Sequence, residues 1–316
     1  MDRKVSGIHH VTAVAGDPQQ NVDFYVKVLG QRLVKTTVNF DDPGTYHFYY
    51  GDKVGNPGTI LTFFPWRGIP KGEIGNGEVA VTAYSVPEDS LGYWQNRLKE
   101  FNIETGDIEP RFGEQVLPLA DPDGMRIELI AQANPPEYTH WEGGPIPADY
   151  ALRGFQGATM WVNEAQYSAR LLTEIFGYEK ANEEGQRHQF KATSNERAIT
   201  VDLLVRPNQP RGRLGAGSVH HIAFRVDDDE TQLAWRQELI QNRLNVTEIK
   251  DRQYFHSIYF HEPSGVLYEM ATDPPGFSWD EDVESLGTGL KLPPWLEGDR
   301  ERIARSLPVI ERPTFG

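Results

Sequence analysis

The stretch Gly217-Ser218-Val219-His220-His221-Ile222-Ala223-Phe224-Arg225-Val226 places two adjacent histidines inside an apolar, β-branched run that is typical of a buried β-strand. A second apolar run, Tyr268-Glu269-Met270, carries a lone carboxylate. Burying a carboxylate in such a strand is unfavourable unless a cation or a hydrogen-bond donor meets it. Histidines and a carboxylate that face a common cavity would meet this requirement by holding a metal ion. A closely similar stretch, Gly7-Ile8-His9-His10-Val11-Thr12-Ala13-Val14, lies near the start of the sequence.

The similarity of these two stretches is part of a degenerate fourfold repeat. Each copy begins with a glycine and a short alternating strand, which an amphipathic helix and further strands follow. The copies begin at Gly7, Gly77, Gly154 and Gly217. The helices are predicted around residues 19–29, 90–101, 164–176 and 230–242. The simplest interpretation is an α+β fold in which a β-α-β-β-β module occurs four times.

The sequence also predicts how the modules are grouped. Residues 134–150 are rich in proline, glycine and acidic side chains, which indicates a linker between the second and third modules. We therefore expect a first domain over residues 1–133 and a second domain over residues 151–275. Residues 276–316 do not follow the module pattern. They predict a C-terminal strap that packs its aromatic side chains onto the body and contains a short helix over residues 296–307.

Composition excludes several classes of function. The 316 residues include 31 basic and 46 acidic side chains, a formal net charge of −15 that argues against nucleic acid or an anionic membrane as a partner. The absence of cysteine excludes disulfides, zinc–thiolate sites and thiol nucleophiles. No run approaches the roughly 20 apolar residues that span a bilayer, and the first residues lack the apolar segment of a signal peptide. We expect a cytoplasmic protein, and a homo-oligomer is compatible with the sequence.

Aligning the four modules by their first glycines shows which histidines are special. The second histidine position of the first strand is occupied in turn by His10, Val81, Gly157 and His221. A position near the end of each module is occupied by Thr62, Glu128, Asp202 and Glu269. Only modules one and four therefore carry a histidine, and His10 can join His221 and Glu269 only if these two modules pack side by side. Such a two-histidine, one-carboxylate set suits non-haem Fe(II), with Mn(II) chemically close and zinc still open.

The choice within each histidine pair follows from strand geometry. Neighbouring side chains in a strand point to opposite faces, and we assign the second histidine of each pair, His10 and His221, as the metal ligands. His220 is then expected to support the site from behind, whereas His9 is left open between a supporting role and simple packing. A single histidine in a strand is more often a packed residue than a ligand. Two matched pairs and a glutamate at the matching late strand reverse that expectation.

Two further side chains of the fourth module belong with the predicted site. Tyr259 lies on the strand that pairs with the strand of Glu269 across a predicted hairpin, and a buried tyrosine hydroxyl needs a partner. Arg252 precedes the aromatic pair Tyr254-Phe255 and could hold an anionic oxygen, although a surface salt bridge explains it almost as well. His256 and His261 are expected to be ordinary polar residues.

Taken together, three segments of the sequence resemble the vicinal oxygen chelate superfamily. These are the runs at residues 7–12, 219–224 and 257–273, and a tail motif at residues 289–297 extends the resemblance to nearly the whole chain. More narrowly, the chain resembles the ring-cleaving dioxygenases that include the hydroquinone and chlorohydroquinone 1,2-dioxygenases. The resemblance implies two vicinal oxygen chelate pseudo-domains with cupped mixed β-sheets. It also implies an Fe(II) site held by His10, His221 and Glu269, with supporting positions at Thr12, His220, Arg252 and Tyr259 that His9 could join.

The expected activity is an Fe(II)-dependent opening of a dihydroxylated aromatic ring, with a small aromatic diol of the hydroquinone or catechol type and O2 as partners. In this scheme Tyr259 and His220 donate hydrogen bonds or move protons, Arg252 holds an oxyanion and Thr12 orients a ligand or water. The alternative within the superfamily is a glyoxalase-type isomerase or a thiol transferase. Its fourth metal ligand would fall on Thr62, which is a poor substitute. A metal-free binding protein is a third interpretation, which the intact triad disfavours.

Overall fold

Each of the four predicted modules folds as one strand, one helix and three further strands in the computed structural model, which describes residues 3–194 and 197–315. Module one contains β1 (Ile8–Ala15), α1 (Pro18–Val22), β2 (Arg32–Asn39), β3 (Asp42–Gly51) and β4 (Ile60–Pro65). Module two contains β5 (Glu78–Pro87), α2 (Leu91–Glu100), β6 (Glu109–Arg111), β7 (Glu114–Ala120) and β8 (Arg126–Gln132). Module three contains β9 (Phe155–Val162), α3 (Gln166–Arg170), β10 (Glu179–Glu184), β11 (Arg187–Lys191) and β12 (Thr200–Val205). Module four contains β13 (Val219–Val226), α4 (Asp229–Gln241), β14 (Lys250–Asp251), β15 (His256–His261) and β16 (Leu267–Thr272).

The modules combine in pairs to form two eight-stranded mixed sheets. The first sheet has the order β14-β15-β16-β13-β1-β4-β3-β2, so that it joins modules one and four. The second sheet has the order β10-β11-β12-β9-β5-β8-β7-β6 and joins modules two and three. In each sheet the first strands of the two modules run antiparallel in the centre, as β1 with β13 and β5 with β9. The α+β fold of four modules and the packing of module one beside module four are therefore confirmed.

The first sheet is strongly curled. Tyr49 on β3 and Tyr259 on β15 line a common cavity, although four strands lie between β3 and β15. Five strand spacings of about 4.8 Å would separate these strands by roughly 24 Å in a flat sheet. The sheet must therefore bend into a cup whose concave face surrounds the cavity, as the sequence predicts.

The central pairing of β1 with β13, which we call the central seam, contains two β-bulges. The register passes from Ile8↔Phe224 directly to His10↔Ala223, so that His9 is an extra residue. It passes from Thr12↔His221 to Ala13↔Val219, so that His220 is the extra residue on the other strand. A bulge breaks the alternation of side chains and increases the local twist. His9 and His220 therefore depart from the regular alternation of side chains between the two faces of the sheet.

Two of the predicted helices are composite. The helix α1 continues as a π-helix over Asp23–Val28, and α3 continues as a π-helix over Leu171–Ile175. The wider turn is visible in the backbone hydrogen bond from Phe176 N–H to the carbonyl of Leu171, which spans five residues. Apolar spacing alone predicts an ordinary α-helix here, because the extra residue in a wide turn leaves no clear mark in the sequence.

The convex face of the first sheet carries an aromatic core. Phe224 on β13 contacts Phe176 at 4.9 Å and Tyr268 on β16 at 4.8 Å between ring centroids, and Phe176 also contacts Trp235 of α4 at 5.8 Å. Burial of each such side chain stabilises the fold by roughly 1.5–3 kcal/mol. The helices of modules three and four thus fix one face of β13, which leaves its other face free for the cavity.

Two irregular segments connect the sheets, residues 70–77 and residues 210–217, and we call them the paired crossovers. They pair through the bridges Lys71↔Ala216, Glu73↔Arg213 and Asn76↔Arg211. The approach is so close that a Cβ atom at Gly75 would lie 2.3 Å from the carbonyl oxygen of Pro210. Glycine is therefore required at this position for the crossovers to touch.

The C-terminal strap is tied to the edge strand β2. Buried Lys35 donates to Asp280 at 2.6 Å and to Glu281 at 2.8 Å, and the strap ends in helix α5 (Arg300–Ser306). The prediction that its aromatic side chains pack onto the body holds for Phe277, which is buried. Trp279 is 60% exposed, whereas Trp295, although 52% exposed, contacts Phe40 of the body at 5.6 Å between ring centroids. The domain boundaries given above stay a prediction.

Candidate metal centre

Three buried side chains, His10, His221 and Glu269, bring one ligand atom each to a common point on the concave face of the first sheet. The Nε2 atom of His221 lies 2.8 Å from Glu269 Oε2, and the Nε2 atom of His10 lies 3.3 Å from the same oxygen. All three ligand atoms lie within 4.8 Å of one another. Within residues 3–194 and 197–315 this is the one cluster of histidine and carboxylate side chains that could hold a metal ion.

The sheet registers explain how residues so distant in sequence meet. His10 on β1 is opposite Ala223 on β13, and Ala223 is beside Glu269 on β16. The three residues therefore form one row across three adjacent strands. The small methyl group of Ala223 leaves room between the imidazole and the carboxylate, and His221 lies two residues before Ala223 on the same strand.

Each ligand histidine is held by the histidine that precedes it. The Nδ1 atoms of His9 and His10 are 2.9 Å apart, and those of His220 and His221 are 2.8 Å apart. The bulges at the first histidine of each pair allow these contacts, which regular alternation would forbid. In both pairs the contact engages Nδ1 of the second histidine and leaves its Nε2 directed at Glu269. Such a partner fixes the ring orientation and tautomer of a metal ligand.

The carboxylate of Glu269 is prepared for a cation. Its Oε1 atom accepts a hydrogen bond of 2.5 Å from the hydroxyl of Ser257. Its Oε2 atom is buried and makes no well-formed hydrogen bond within the described residues, although the Nε2 atoms of both ligand imidazoles lie close to it. Burial alone would raise the pKa of Glu269, but the imidazoles of His10 and His221 hold that pKa well below its usual value.

Burial favours the neutral form, which is the form that binds metals, at three of the four histidines in the two pairs. Burial lowers the pKa of His221, and burial together with neighbouring His221 lowers the pKa of His220 to about 3. Burial also lowers the pKa of His9 well below its ordinary value. The imidazoles of His10 and His221, together with an ionised carboxylate oxygen that has no hydrogen-bond partner among the described residues, form a donor set that fits a divalent metal ion.

The cluster opens into a cavity of about 470 Å³, which we call the main cavity. Aromatic side chains and polar groups from modules one and four bound this cavity. All seven residues predicted as ligands or catalytic side chains line it: His10, Thr12, His220, His221, Arg252, Tyr259 and Glu269. The other residues of its wall are Asn39, Phe40, Asp41, His47, Tyr49, Phe64, Trp66, Thr247, Lys250, Phe255 and Leu267.

The three remaining histidines named in the sequence lie elsewhere. His9 packs behind the site, with its ring centroid 5.3 Å from that of Phe255. His256 pairs with Asp229 at 2.6 Å on a partly exposed surface, and exposed His261 contacts the carbonyl of Gly265. The expectation that His256 and His261 lie outside the site agrees with these positions.

Arg252 and Tyr259 form one unit at the mouth of the main cavity. The Nε atom of Arg252 donates to the Tyr259 hydroxyl at 3.1 Å, and its guanidinium also pairs with Asp41 of module one at 3.1 Å. Arg252 therefore makes the surface ion pair and also lines the cavity, whereas its role in holding an anionic oxygen stays a prediction. Tyr259 is opposite Glu269 in the β15–β16 ladder. Burial raises the pKa of Tyr259, so that it remains a protonated donor.

Module one supplies polar residues that sequence reasoning did not select. Thr62 is beside Thr12 in the β1–β4 ladder, just as Glu269 is beside Ala223 in module four, and the predicted equivalence of Thr62 with Glu269 agrees with this register. His47 contacts Thr62, and Tyr49 contacts His47. Both lie in the alternating run at residues 46–50, which marks a strand but gives no sign that its inward side chains reach the cavity.

The second sheet lacks the equivalent site. Its corresponding carboxylates are neutralised by arginines, with Glu128 paired to Arg111 at 2.5 Å and Asp202 paired to Arg187 at 2.7 Å. A side chain could not be added at Gly157, because its Cβ atom would lie 2.3 Å from the carbonyl oxygen of Thr200. The space between these groups has a volume of only about 10 Å³. Among the residues that the structure describes, the first sheet therefore combines a ligand cluster with a cavity, and the second sheet does not.

The structure also bears on the expected partners. In the described ranges, 3–194 and 197–315, no helix combines the length and the apolar character needed to cross a membrane.

Comparison with known proteins agrees with this site. The sequence profile of the Glyoxalase/Bleomycin resistance protein/Dioxygenase superfamily matches residues 7–129 and 154–280. The chain is 46% identical to "Putative ring-cleaving dioxygenase MhqO" of Bacillus subtilis, with 97% of each chain covered. It is 33% identical to "Chlorohydroquinone/hydroquinone 1,2-dioxygenase" of Sphingobium indicum, again with 97% of each covered. A crystal structure described as a putative dioxygenase from Bacillus subtilis superposes with a TM-score of 0.95 at 45% identity, covering 99% of this chain and 100% of that one. The chain therefore belongs to the glyoxalase, bleomycin resistance protein and dioxygenase superfamily.

Proposed function

We propose that this protein is an Fe(II)-dependent dioxygenase that opens a dihydroxylated aromatic ring, of the hydroquinone or catechol type, with O2. The observation that carries the proposal is the buried cluster of His10, His221 and Glu269 in the wall of the main cavity. Two imidazoles and one carboxylate are the ligand set of non-haem Fe(II) oxygenases, with Mn(II) as the nearest alternative. The names of the relatives from Bacillus subtilis and Sphingobium indicum support the same reaction class.

The shape of the main cavity suits a small aromatic substrate. Its volume of about 470 Å³ falls in the range of roughly 300–1,000 Å³ that is common for small-molecule sites. Phe40, Phe64, Trp66 and Phe255 supply apolar and aromatic walls. These walls can pack against the faces and edges of a substrate ring. The three ligands lie in the same wall, where a bound metal would attract the oxygens of a diol.

When bound, Fe(II) would supply a Lewis acid with open positions for the substrate and O2. The side chains of the protein would do the remaining work. The guanidinium of Arg252 would hold an anionic oxygen of the substrate, and it also keeps the Tyr259 hydroxyl in place. Tyr259, which stays protonated, would donate a hydrogen bond to the reacting oxygens. Because His221 would bind the metal through Nε2, its Nδ1–H donates to His220 Nδ1. The neutral His220 ring then carries its proton on Nε2, where it would donate a hydrogen bond to an oxygen in the cavity.

The alternative isomerase interpretation lacks a ligand. The position equivalent to Glu269 in module one is Thr62, whose hydroxyl is engaged by Thr12 and His47. A neutral hydroxyl that is already hydrogen-bonded is a poor fourth ligand for zinc, which prefers nitrogen, sulfur and carboxylate donors. The ring-opening reaction needs only three protein ligands, so the residues around this site fit it better than they fit the isomerase reaction.

The proposal is tested by reconstituting the protein with Fe(II) without oxygen and then measuring O2 uptake. Catechol, hydroquinone and their methyl and chloro derivatives would be compared as substrates. We expect uptake with at least one diol and incorporation of both atoms of ¹⁸O2 into an open-ring acid. The His221→Ala variant should be inactive, whereas Glu128→Gln, the matched carboxylate of the second sheet, should retain activity. No uptake with any diol, together with zinc-supported isomerisation of a hemithioacetal, would contradict the proposal. A cytoplasmic location and the oligomeric state stay predictions from the sequence.

A further inference from the structure

A continuous chain of four hydrogen-bonded side chains crosses β3, β4 and β1 and ends in the main cavity. The Tyr49 hydroxyl lies 2.9 Å from His47 Nδ1, and His47 Nε2 lies 2.9 Å from Thr62 Oγ1. Thr62 Oγ1 lies 2.9 Å from Thr12 Oγ1. Thr62, Tyr49 and Thr12 are almost completely buried, whereas His47 is partly buried.

The chain has a definite direction. The geometry of the last contact makes Thr62 the donor and Thr12 the acceptor. A threonine hydroxyl has one proton, so Thr62 cannot also donate to His47, and His47 Nε2–H must donate to Thr62. Burial and the nearby His10 lower the pKa of His47 well below its ordinary value, so the ring is neutral and carries a single N–H. Its Nδ1 is therefore bare and accepts the hydroxyl proton of Tyr49.

We propose that Tyr49, His47 and Thr62 are positioning residues that fix the Thr12 hydroxyl as a hydrogen-bond donor to a substrate oxygen in the main cavity. Having accepted from Thr62, Thr12 keeps its own proton for a group on the cavity side. A hydroxyl whose orientation is set before the substrate arrives needs no reorganisation during the reaction. The identity of the substrate rests on the proposed function, but the direction of the chain does not.

The internal symmetry of the first sheet supports a role for these positions. Tyr49 is opposite Thr62 in the β3–β4 ladder, as Tyr259 is opposite Glu269 in the β15–β16 ladder. His47 lies two residues before Tyr49, just as Ser257 lies two residues before Tyr259. In module four, the Ser257 hydroxyl supports the ligand carboxylate. In module one, the equivalent residue His47 supports the Thr62 hydroxyl instead. The same strand positions therefore support a ligand carboxylate in module four and a chain of hydroxyl groups in module one.

The direction can be measured in the metal-free protein by NMR of ¹⁵N-labelled histidine side chains. The signals of His47 are assigned by their loss in His47→Gln. We expect the proton on Nε2 in the wild-type protein at neutral pH. Tyr49→Phe should shift the signal of the unprotonated Nδ1, because it removes the hydroxyl that donates to this atom. Thr62→Val should shift the signal of Nε2, because it removes the oxygen that accepts the hydrogen bond from Nε2–H. Thr82→Val removes a buried, unpartnered hydroxyl in the second sheet and should leave these signals unchanged. A proton on Nδ1, or a doubly protonated ring, would overturn the proposed direction.

The consequence for catalysis is measured separately in the Fe(II)-loaded protein. Thr62→Val should lower kcat about tenfold with little change in KM, because a fixed donor acts mainly in the transition state. Thr62→Ser, which keeps the hydroxyl, should restore most of this loss. Equal damage from Thr62→Ser and Thr62→Val would assign Thr62 to packing and reject the proposal. If the wild-type protein opens no diol ring, the proposed function fails, whereas the NMR result still decides the direction of the chain.

Discussion

Glu269 depends on its neighbours to remain ionised in a fully buried position. One oxygen accepts from Ser257, and the other faces the two ligand imidazoles without a hydrogen bond. Removing a partner from a buried charge leaves an uncompensated cost, whereas a bound cation satisfies both the carboxylate and the imidazoles. At the scale of the residue, the donor set thus fits a metal ion, which would satisfy the carboxylate oxygen that the described residues leave without a hydrogen bond.

Exchange of Glu269 for glutamine should therefore affect metal binding before it affects the fold. We expect Glu269→Gln to lower the affinity for Fe(II) or Mn(II) by at least about 100-fold, because loss of a direct ligand exceeds the 10- to 100-fold effect of supporting residues. Affinity is measured by competition with a chelating dye. Glu128→Gln in the second sheet should bind metal like the wild type. Unchanged affinity in Glu269→Gln would show that the metal is held elsewhere.

The hydroxyl of Tyr259 should matter for turnover rather than for metal binding. We expect Tyr259→Phe to lower kcat by roughly 10²-fold, the typical effect of losing one fixed donor to developing charge. Its metal content should stay that of the wild type, because the hydroxyl contacts Arg252 and not the ligands. The matched control is Tyr268→Phe, which removes a buried hydroxyl that contacts Met160 on the convex face. Equal kinetic losses in both variants would indicate a general packing defect.

At the scale of the element, the central seam shows what the sequence could and could not predict. The strands β1 and β13 follow from their alternating apolar residues, and the equivalence of His10 with His221 follows from aligning the modules. The bulges at His9 and His220 do not follow, because they depend on how two strands from opposite ends of the chain pair. His47 was missed for a similar reason, since its importance appears only when Thr62 and Thr12 lie beside it.

The strap shows the same division between pattern and packing. Its position at the end of the module pattern was predictable, but the exposure of its tryptophans was not. Apolar content alone cannot tell which side of an irregular segment faces the protein. The buried Lys35 that anchors it lies in strand β2, which the sequence did not indicate as an attachment site.

Replacement of Lys35 should therefore destabilise the fold and loosen the strap. We expect Lys35→Met to lower the free energy of unfolding by about 3 kcal/mol, because Glu281 would be left as a buried charge without its partner. Denaturant unfolding measures this change, and limited proteolysis reports release of the strap. Lys27→Met, which breaks the exposed pair with Asp23, should cost less than about 1 kcal/mol. Similar effects in both variants would contradict a specific anchor at Lys35.

At the scale of the whole molecule, the paired crossovers hold the two sheets together. Glu78 lies at the end of one crossover, where its carboxylate accepts from the backbone of Gly75 at 2.6 Å. Burial raises its pKa to about 7. The carboxyl group of a glutamate in the unfolded chain titrates near pH 4.3. Between these values the folded chain holds a proton that the unfolded chain has lost, so stability falls as pH rises through this window.

Glu78→Gln should remove this pH dependence. The glutamine keeps an oxygen for Gly75 but carries no charge. We expect the variant to exceed the wild type in free energy of unfolding by about 1 kcal/mol near pH 8, after allowance for partial exposure, with no gain near pH 4. Urea unfolding at both pH values measures the difference. The exposed Glu100→Gln on α2 serves as the control. If Glu78→Gln raised the free energy of unfolding equally at both pH values, titration of Glu78 could not be the cause.

The central seam has a consequence for how the protein matures. His10 and His221 are more than two hundred residues apart, and they meet only when the first and last modules pair. Contacts of such long range form late, because the loop between them must first be closed. A chain still emerging from the ribosome can thus fold the second sheet before the pocket of His10, His221 and Glu269 exists. A metal ion that needs all three ligands could bind only after the first and last modules have paired.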